Sequence, residues 1–227
     1  MNPILVEVTR GGHVESQHTG ALAVIDADGA IFAQIGDIAR LVFPRSAVKV
    51  LQALPLIASG AADQLGLSDA ELALACASHN GEPLHVQTAA GMLAKAGLDV
   101  TALECGGHWP GYDKATRALA AAGEEPTALH NNCSGKHAGF ACLACAMHGG
   151  TTDLRGFFSG YVQPRHAVMR EVTAALQAAT GFDLSAAPRG TDGCAIPTYA
   201  IPLRQLALAF ARVATGNGLS AAHARAA

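Results

Sequence analysis

ALAVIDADGAIFAQI, residues 21–35, decides the class of fold. Two apolar runs, Ala21–Asp26 and Ala30–Ile35, flank Ala27-Asp28-Gly29, and a short glycine-bearing turn between such runs predicts a β-hairpin with Gly29 in the turn. Upstream, Ile4–Thr9 reads as one more short strand. Downstream the apolar spacing becomes helical over residues 46–59, 83–96, 134–148, 163–179 and 202–214. Gly97, Gly149-Gly150, Gly181 and Gly216 stop four of these helices. Ser68-Asp69-Ala70-Glu71 predicts a capped helix start, and Pro55 predicts a kink or an interruption of the first long helix. Residues 105–113 and 187–197 predict loops, and residues 218–227 the beginning of a further helix. Strands followed by many helices give an α+β class, an antiparallel sheet with flanking helices. Three short strands make a thin sheet for so many helices, and the last helix ends without a stop signal. The expectation is one catalytic domain over residues 1–227, truncated at the C-terminus and lacking its last strands.

Composition narrows the partners. Half of the 227 residues are hydrophobic and 15% are charged, which is a globular balance. A net charge of −3 provides no basic field for nucleic acid or an anionic membrane. No apolar run is long enough to span a bilayer, and residues 1–10 lack the basic-then-apolar order of a secretory signal. A cytoplasmic location and a small-molecule substrate are predicted. In that compartment Cys76, Cys105, Cys133, Cys142, Cys145 and Cys194 read as thiols or metal ligands.

Four segments carry chemistry. Pro44-Arg45-Ser46-Ala47-Val48-Lys49 places a serine and a lysine three apart at a predicted helix start, on one face. A serine hydroxyl needs a base, a lysine serves once burial lowers its pKa, and helix-terminal N–H groups suit an oxyanion. The same Ser-x-x-Lys spacing serves penicillin-binding proteins and class A β-lactamases. An N-cap serine beside a solvated lysine is the alternative reading. Cys76-Ala77-Ser78-His79-Asn80-Gly81-Glu82 falls at a turn, where Ser78 is placed to relay a proton and His79 and Glu82 to orient neighbours. Ordinary Asn-Gly turn chemistry is its alternative. Asn131-Asn132-Cys133-Ser134-Gly135-Lys136-His137-Ala138-Gly139 is a polar loop opening a helix, without the spaced glycines of a P-loop. In Gly190-Thr191-Asp192-Gly193-Cys194-Ala195-Ile196-Pro197, Cys194 is a thiol that, with Cys133, suits a shared zinc ion. A plain Asp-Gly turn is the alternative there. Two of the chain's four lysines fall in the first and third segments, which argues against both being solubility residues. Cys142 and Cys145, inside an apolar helix, read as small buried side chains.

Together, Pro44–Gln52, Ala77–Glu82, His130–Phe140 and Gly190–Pro197 resemble the rhizobial-type L-asparaginases of the asparaginase II family, in order and spacing, across nearly all of residues 3–216. The resemblance implies a β-lactamase/serine-glutaminase-like fold, a homodimer and hydrolysis of L-asparagine to L-aspartate and ammonia through an acyl-enzyme. It implies catalytic Ser46 and Lys49, with Ser78 in a second pair, and a zinc ion held by Cys133, Lys136 and Cys194, where lysine coordinates only as the neutral amine. Arg45, His137 and Asp192 flank the matched positions and are predicted substrate contacts, Arg45 for the α-carboxylate and Asp192 for the α-ammonium. Family members continue past residue 227 with a second catalytic lysine that nothing in residues 217–227 matches. Two alternatives stand beside this reading. One is a β-lactamase-type hydrolase, although no Ser-Asp-Asn or Lys-Thr-Gly tripeptide occurs. The other is an inactive zinc- or amino-acid-binding fragment.

Overall fold

The computed structural model describes residues 2–149 and 153–227. The chain opens with strands β1 (Ile4–Arg10), β2 (His13–Thr19), β3 (Leu22–Ile25), β4 (Ile31–Ile35) and β5 (Leu41–Val42). Helices α1 (Lys49–Ala58), α2 (Ala61–Gln64), α3 (Asp69–Ala75), α4 (Pro83–Lys95), α5 (Asp113–Ala121), α6 (Ser134–His148), α7 (Leu154–Phe158) and α8 (Ala167–Thr180) follow. Strands β6 (Arg189–Thr191), β7 (Pro197–Tyr199) and β8 (Ile201–Pro202) then lead into α9 (Leu203–Thr215) and α10 (Ala221–Ala226). This is the mixed helix and strand class, with small antiparallel sheets.

The strands do not merge into one sheet. Among the described residues they form four antiparallel pairs, β1–β2, β3–β4, β5–β8 and β6–β7. The predicted hairpin is β3–β4, and Gly29 takes a left-handed φ of 89° in its turn. Strand β2 escapes the sequence because His13-Val14-Glu15-Ser16-Gln17-His18-Thr19 has almost no apolar content, and all seven residues are exposed. The predicted loop at 187–197 instead contains β6 and ends at the first residue of β7, and the two strands pair from Arg189↔Tyr199 to Thr191↔Pro197. Helix α5 also lies where no helix is predicted, with Ala115 as its one buried residue.

Helix α6 is the centre. Residues Ser134 to Ala144 are all buried, so the helix is enclosed on every side, and it packs against α1, α2, α3, α4 and α7. Leu56, Met92, Leu93, Phe140, Leu143, Phe158 and Met169 belong to the core around it. A second core joins Leu51 and Leu54 of α1 to Leu176, Ile201 and Leu206. Helix α1 is the wall the two cores share. Its predicted interruption does not occur: the helix runs through Pro55, because both cores bury that segment and a proline removes only one backbone donor. The helix does begin later than expected. Residues Arg45–Val48 form a 3-10 turn, and the α-helical geometry starts at Lys49.

Predicted stops hold where a positive φ was needed: Gly97, Gly149, Gly181 and Gly216 take φ of 73°, 66°, 64° and 74°. Gly150 lies outside the described residues. Ser68 caps α3 reciprocally, its backbone N–H reaching Glu71 Oε2 at 2.7 Å, while Lys95 Nζ binds the same carboxylate at 2.6 Å. No helix among the described residues is long and apolar enough to cross a membrane.

Gly135 lets α6 approach α3. A Cβ there would sit 2.6 Å from the Leu74 carbonyl oxygen and 2.5 Å from Leu74 Cγ. Gly135→Ala is expected to destabilise the fold by roughly 1–3 kcal/mol through overpacking, read as a lower urea midpoint at unchanged m-value. A midpoint equal to the parent's would show that α3 and α6 are not held this closely.

Candidate active site

Lys49 opens α1 and is 1% exposed. A buried amine needs partners, and Nζ has three: the Ala77 carbonyl at 2.9 Å, the Asn132 carbonyl at 3.2 Å and Ser78 Oγ at 2.8 Å. The two carbonyls can only accept, so each takes an N–H. The Ser78 hydroxyl is the one partner able to donate. Burial lowers the Lys49 pKa, against an opposing pull from the Cys133 thiol. In the neutral amine, the lone pair left over by the two carbonyls faces the Ser78 proton. Ser78 is itself exposed and lines a cavity of about 350 Å³ shared with Leu74, His79, His85 and Thr88.

The sequence pairs Lys49 with Ser46, but the structure pairs it with Ser78. Ser46 sits on the 3-10 turn, exposed, and among the described residues its hydroxyl has no hydrogen-bond partner. It meets Lys49 through the backbone, its carbonyl accepting the Lys49 N–H. The reason is the pull of two inner carbonyls on the lysine, while the turn carries Ser46 on the outer side. Arg45, directly before it, takes a left-handed φ of 49°. That conformation costs a non-glycine residue on the order of 1–3 kcal/mol and persists only where surrounding structure imposes it. Ala195, directly after Cys194, is the other non-glycine residue of this kind, with φ 73°.

Arg45 and Asp192 are brought together across 147 residues of sequence. Arg45 Nε donates to Asp192 Oδ1 at 3.1 Å, and the Gly193 N–H donates to the same oxygen at 2.9 Å. The two predicted substrate contacts therefore bind each other. The Arg45 side chain is 68% exposed, so the pair is worth only ~0–1 kcal/mol and opens readily.

Beneath the serines lies a buried cluster. Cys133, Lys136 and Cys194 are each at most 4% exposed, and Lys136 Nζ lies 3.2 Å from Cys194 Sγ. The Cys194 thiol draws the Cys133 thiol down to about 6, against the effect of burial. Cys133, with burial, raises Cys194. Asn131 anchors the loop: Oδ1 accepts the Cys133 N–H at 2.8 Å, and Nδ2 donates to the carbonyls of Cys105 and Gly106. One readily ionised thiol, a second thiol and a buried amine are a donor set that fits zinc. Among the described residues no three His, Cys, Asp or Glu side chains converge as a ligand group, so a metal here would rely on the lysine.

His137, a predicted substrate contact, lies inside the fold. It has no exposed surface, and Phe140 and Tyr161 enclose its ring. Its position one residue after Lys136 turns it into the helix packing, a placement that motif adjacency does not reveal. Tyr161 Oη lies 2.5 Å from His137 Nδ1, a partner the sequence does not signal. Cys142 is fully buried in α6 and its thiol is pushed up to about 12 by burial, in keeping with a packed small side chain.

His79 holds the turn after Ser78. Ser134 Oγ donates to the Leu129 carbonyl, so His79 Nε2–H donates to Ser134 Oγ at 2.8 Å, and Nδ1 accepts the Gly81 N–H at 3.1 Å. The neutral ring is fully satisfied. Glu82 presents its N–H to His85 Nδ1 at 3.2 Å, and His85 stacks on His79.

The family described as L-asparaginase II matches residues 6–227 of this chain. No curated protein matches it.

Burial, with the neighbouring His85 and Lys49, lowers His79 to about 4. The unfolded ring binds its proton near 6.5 and the folded ring only near 4, so the unfolded state holds more protons between those values. His79's contribution to stability is therefore present above pH 6.5 and is lost as pH falls from 6.5 toward 4. Urea unfolding at pH 7, 5.5 and 4 is expected to show this fall, and His79→Gln to flatten it. A variant retaining the parent's full slope would remove His79 as its cause.

Proposed function

The chain belongs to the L-asparaginase II family, and from that premise we propose that it hydrolyses the side-chain amide of L-asparagine to L-aspartate and ammonia by a serine–lysine mechanism. The observation that carries this reading is the buried Lys49 amine, with two accept-only carbonyls and one hydroxyl as its partners. Lys49 is the base. Ser78 passes it the proton, and Ser46, whose free hydroxyl can rotate unopposed, attacks the amide carbon. The Ser46–carbonyl bond forms as the proton moves through Ser78 to Lys49; the amide C–N bond then breaks as that proton is delivered to the nitrogen, which leaves as ammonia and leaves the acyl group on Ser46. Water then cleaves the acyl-enzyme by the same route. The positive φ at Arg45 supports Ser46 as the attacking group, since strain next to a reacting residue is common.

A second reading is favoured by the 2.8 Å contact itself: Ser78, exposed and already bonded to the base, attacks directly. Arg45 and Asp192 receive the α-carboxylate and α-ammonium by exchanging their weak mutual pair for the substrate's two charges. Cys133, Lys136 and Cys194 would hold zinc, which when bound acts as a Lewis acid that polarises a carbonyl oxygen. The protein so read is one β-lactamase-like catalytic domain, cytoplasmic and homodimeric. Apolar residues exposed on β1 to β4, including Ile4, Val6, Leu22, Val24 and Phe32, support a second copy as partner.

Lys49→Met and Ser46→Ala are each expected to lower ammonia release by on the order of 10²–10⁴. Intact and peptide mass after a slow amide substrate is expected to place the acyl group on Ser46. An adduct on Ser78 would exchange the two serines' roles. Parent-like turnover by Lys49→Met would end the serine–lysine reading.

A further inference from the structure

The loop before α5, Cys105-Gly106-Gly107-His108-Trp109-Pro110, braces both loops that hold Lys49. At one end Asn131 Nδ2 donates to the carbonyls of Cys105 and Gly106 at 2.8 and 3.0 Å. At the other end Pro110 backs the turn after Ser78: a Cβ on Gly81 would sit 3.0 Å from Pro110 Cβ and 3.1 Å from the His130 carbonyl oxygen. Thr116 Oγ1 of α5 donates to the Pro110 carbonyl at 2.7 Å and keeps that end in place. His108 stands between these two fastenings. Its Nε2 lies 3.0 Å from the Asn132 backbone nitrogen, and its Nδ1 lies 2.8 Å from the Trp109 carbonyl oxygen. A backbone N–H can only donate and a carbonyl can only accept. The neutral ring satisfies both, with Nε2 as the acceptor and Nδ1–H as the donor.

Asn132 is where this tie reaches Lys49. Its carbonyl accepts from Lys49 Nζ and from the His79 backbone N–H, both at 3.2 Å, and the Cys133 N–H of the same peptide unit donates to Asn131 Oδ1 at 2.8 Å. His108 holds the peptide unit before it. With both units held, the Asn132 carbonyl is aimed at the lysine. We propose that His108 is a positioning residue for the amide hydrolysis: its ring holds the Asn132 N–H, which keeps the Asn132 carbonyl on Lys49 Nζ and the amine lone pair on Ser78. Of the three Lys49 contacts, the one to Asn132 is the longest, at 3.2 Å against 2.9 Å for Ala77 and 2.8 Å for Ser78. A small shift of the loop breaks the longest contact first. The N–H released there then turns to Ser78 Oγ, and the lone pair no longer faces the hydroxyl proton, so a residue away from the chemistry sets its geometry. His108 is exposed and touches no reacting atom. Its effect on turnover rests on Lys49 being the base, whereas its hold on Asn132 stands without that reading.

The test uses the full chain with two substitutions, each shown folded by a dispersed amide spectrum. His108→Phe keeps a ring but has no acceptor, and His108→Gln supplies an amide with both a carbonyl and an N–H. His108→Phe is expected to lower kcat for ammonia release by about 3–10-fold, the net size of one hydrogen bond, at an unchanged KM for asparagine. His108→Gln is expected to recover most of that loss. A loss carried by KM, or a Gln variant as slow as the Phe variant, would overturn the positioning role. The tie is also read without substrate, in chain labelled with ¹⁵N and ¹³C. In His108→Phe the Asn132 amide is expected to exchange faster and its carbonyl ¹³C shift to move, while His108→Gln stays near the parent. Asn132 signals unmoved by His108→Phe would overturn the proposal even with turnover reduced. A parent that releases no ammonia would remove the proposed function instead, and the Asn132 signals would still decide whether His108 sets that carbonyl.

Discussion

The Lys49 ammonium or amine cannot be left unpartnered at 1% exposure, and that requirement organises the site. Its acceptors come from two remote places: Ala77 and Ser78 on the loop after α3, and Asn132 on the loop before α6. The lysine therefore ties the start of α1 to both loops at one point. Among the described residues, taking it away would leave the Ala77 carbonyl without a donor and the Ser78 hydroxyl unbonded, while the Asn132 carbonyl would keep only the His79 backbone N–H. The His79 N–H bond to Ser134 and the backbone bond from His79 to the Asn132 carbonyl pull the same two loops together from the other side. The proposed chemistry and the tie between the loops therefore use the same atoms.

Close helix packing makes this junction possible. Gly135 places α6 against Leu74 of α3, and Gly139 continues the contact beside Ala75 and Leu56. The first turn of α6 is therefore buried although it carries Ser134, Lys136 and His137. Ser134 has His79 and the Leu129 carbonyl, Lys136 has Cys194, and His137 has Tyr161 at Nδ1, while His137 Nε2 is buried without a partner among the described residues. A polar turn in an otherwise apolar helix costs stability unless it is satisfied, which explains why the surrounding loops are so densely hydrogen bonded.

The sequence showed elements whose signal is local. The Gly29 hairpin, the Ser68–Glu71 cap and the glycine stops follow from one turn of chain each, and all were readable. Strand β2 was not, since it exposes every residue and lacks the apolar alternation that reading depends on, and helix α5 was missed because its apolar face is short, with Ala115 its one buried residue. The four chemical segments were legible as motifs, and the fold does bring Arg45 to Asp192 and Lys136 to Cys194. What spacing could not tell was direction. Three residues along a helix put Ser46 and Lys49 on one face, but a 3-10 turn and two inner carbonyls turn the lysine toward Ser78. In the same way, adjacency to Lys136 suggested that His137 meets substrate, whereas the α6 packing turns it inward to Tyr161.

Backbone strain links the two halves of the site. Positive φ at Arg45 and Ala195 costs a few kcal/mol in total, on the order of 1–3 each, with no glycine to relieve it. The two strained residues stand beside Ser46 and Cys194, and the Arg45–Asp192 ion pair bridges their segments. That pair is too exposed to hold the strain itself. The cores must do so: Val48 and Leu51 fix the chain just after Arg45, and Ile196, Tyr199 and Ile201 fix it just after Ala195, all with 8% exposure or less. Tight packing after each residue holds the neighbouring Ser46 or Cys194 in a conformation that the isolated peptide would avoid. The exposed ion pair is then left weak enough to exchange partners, while the geometry behind it stays set by buried side chains.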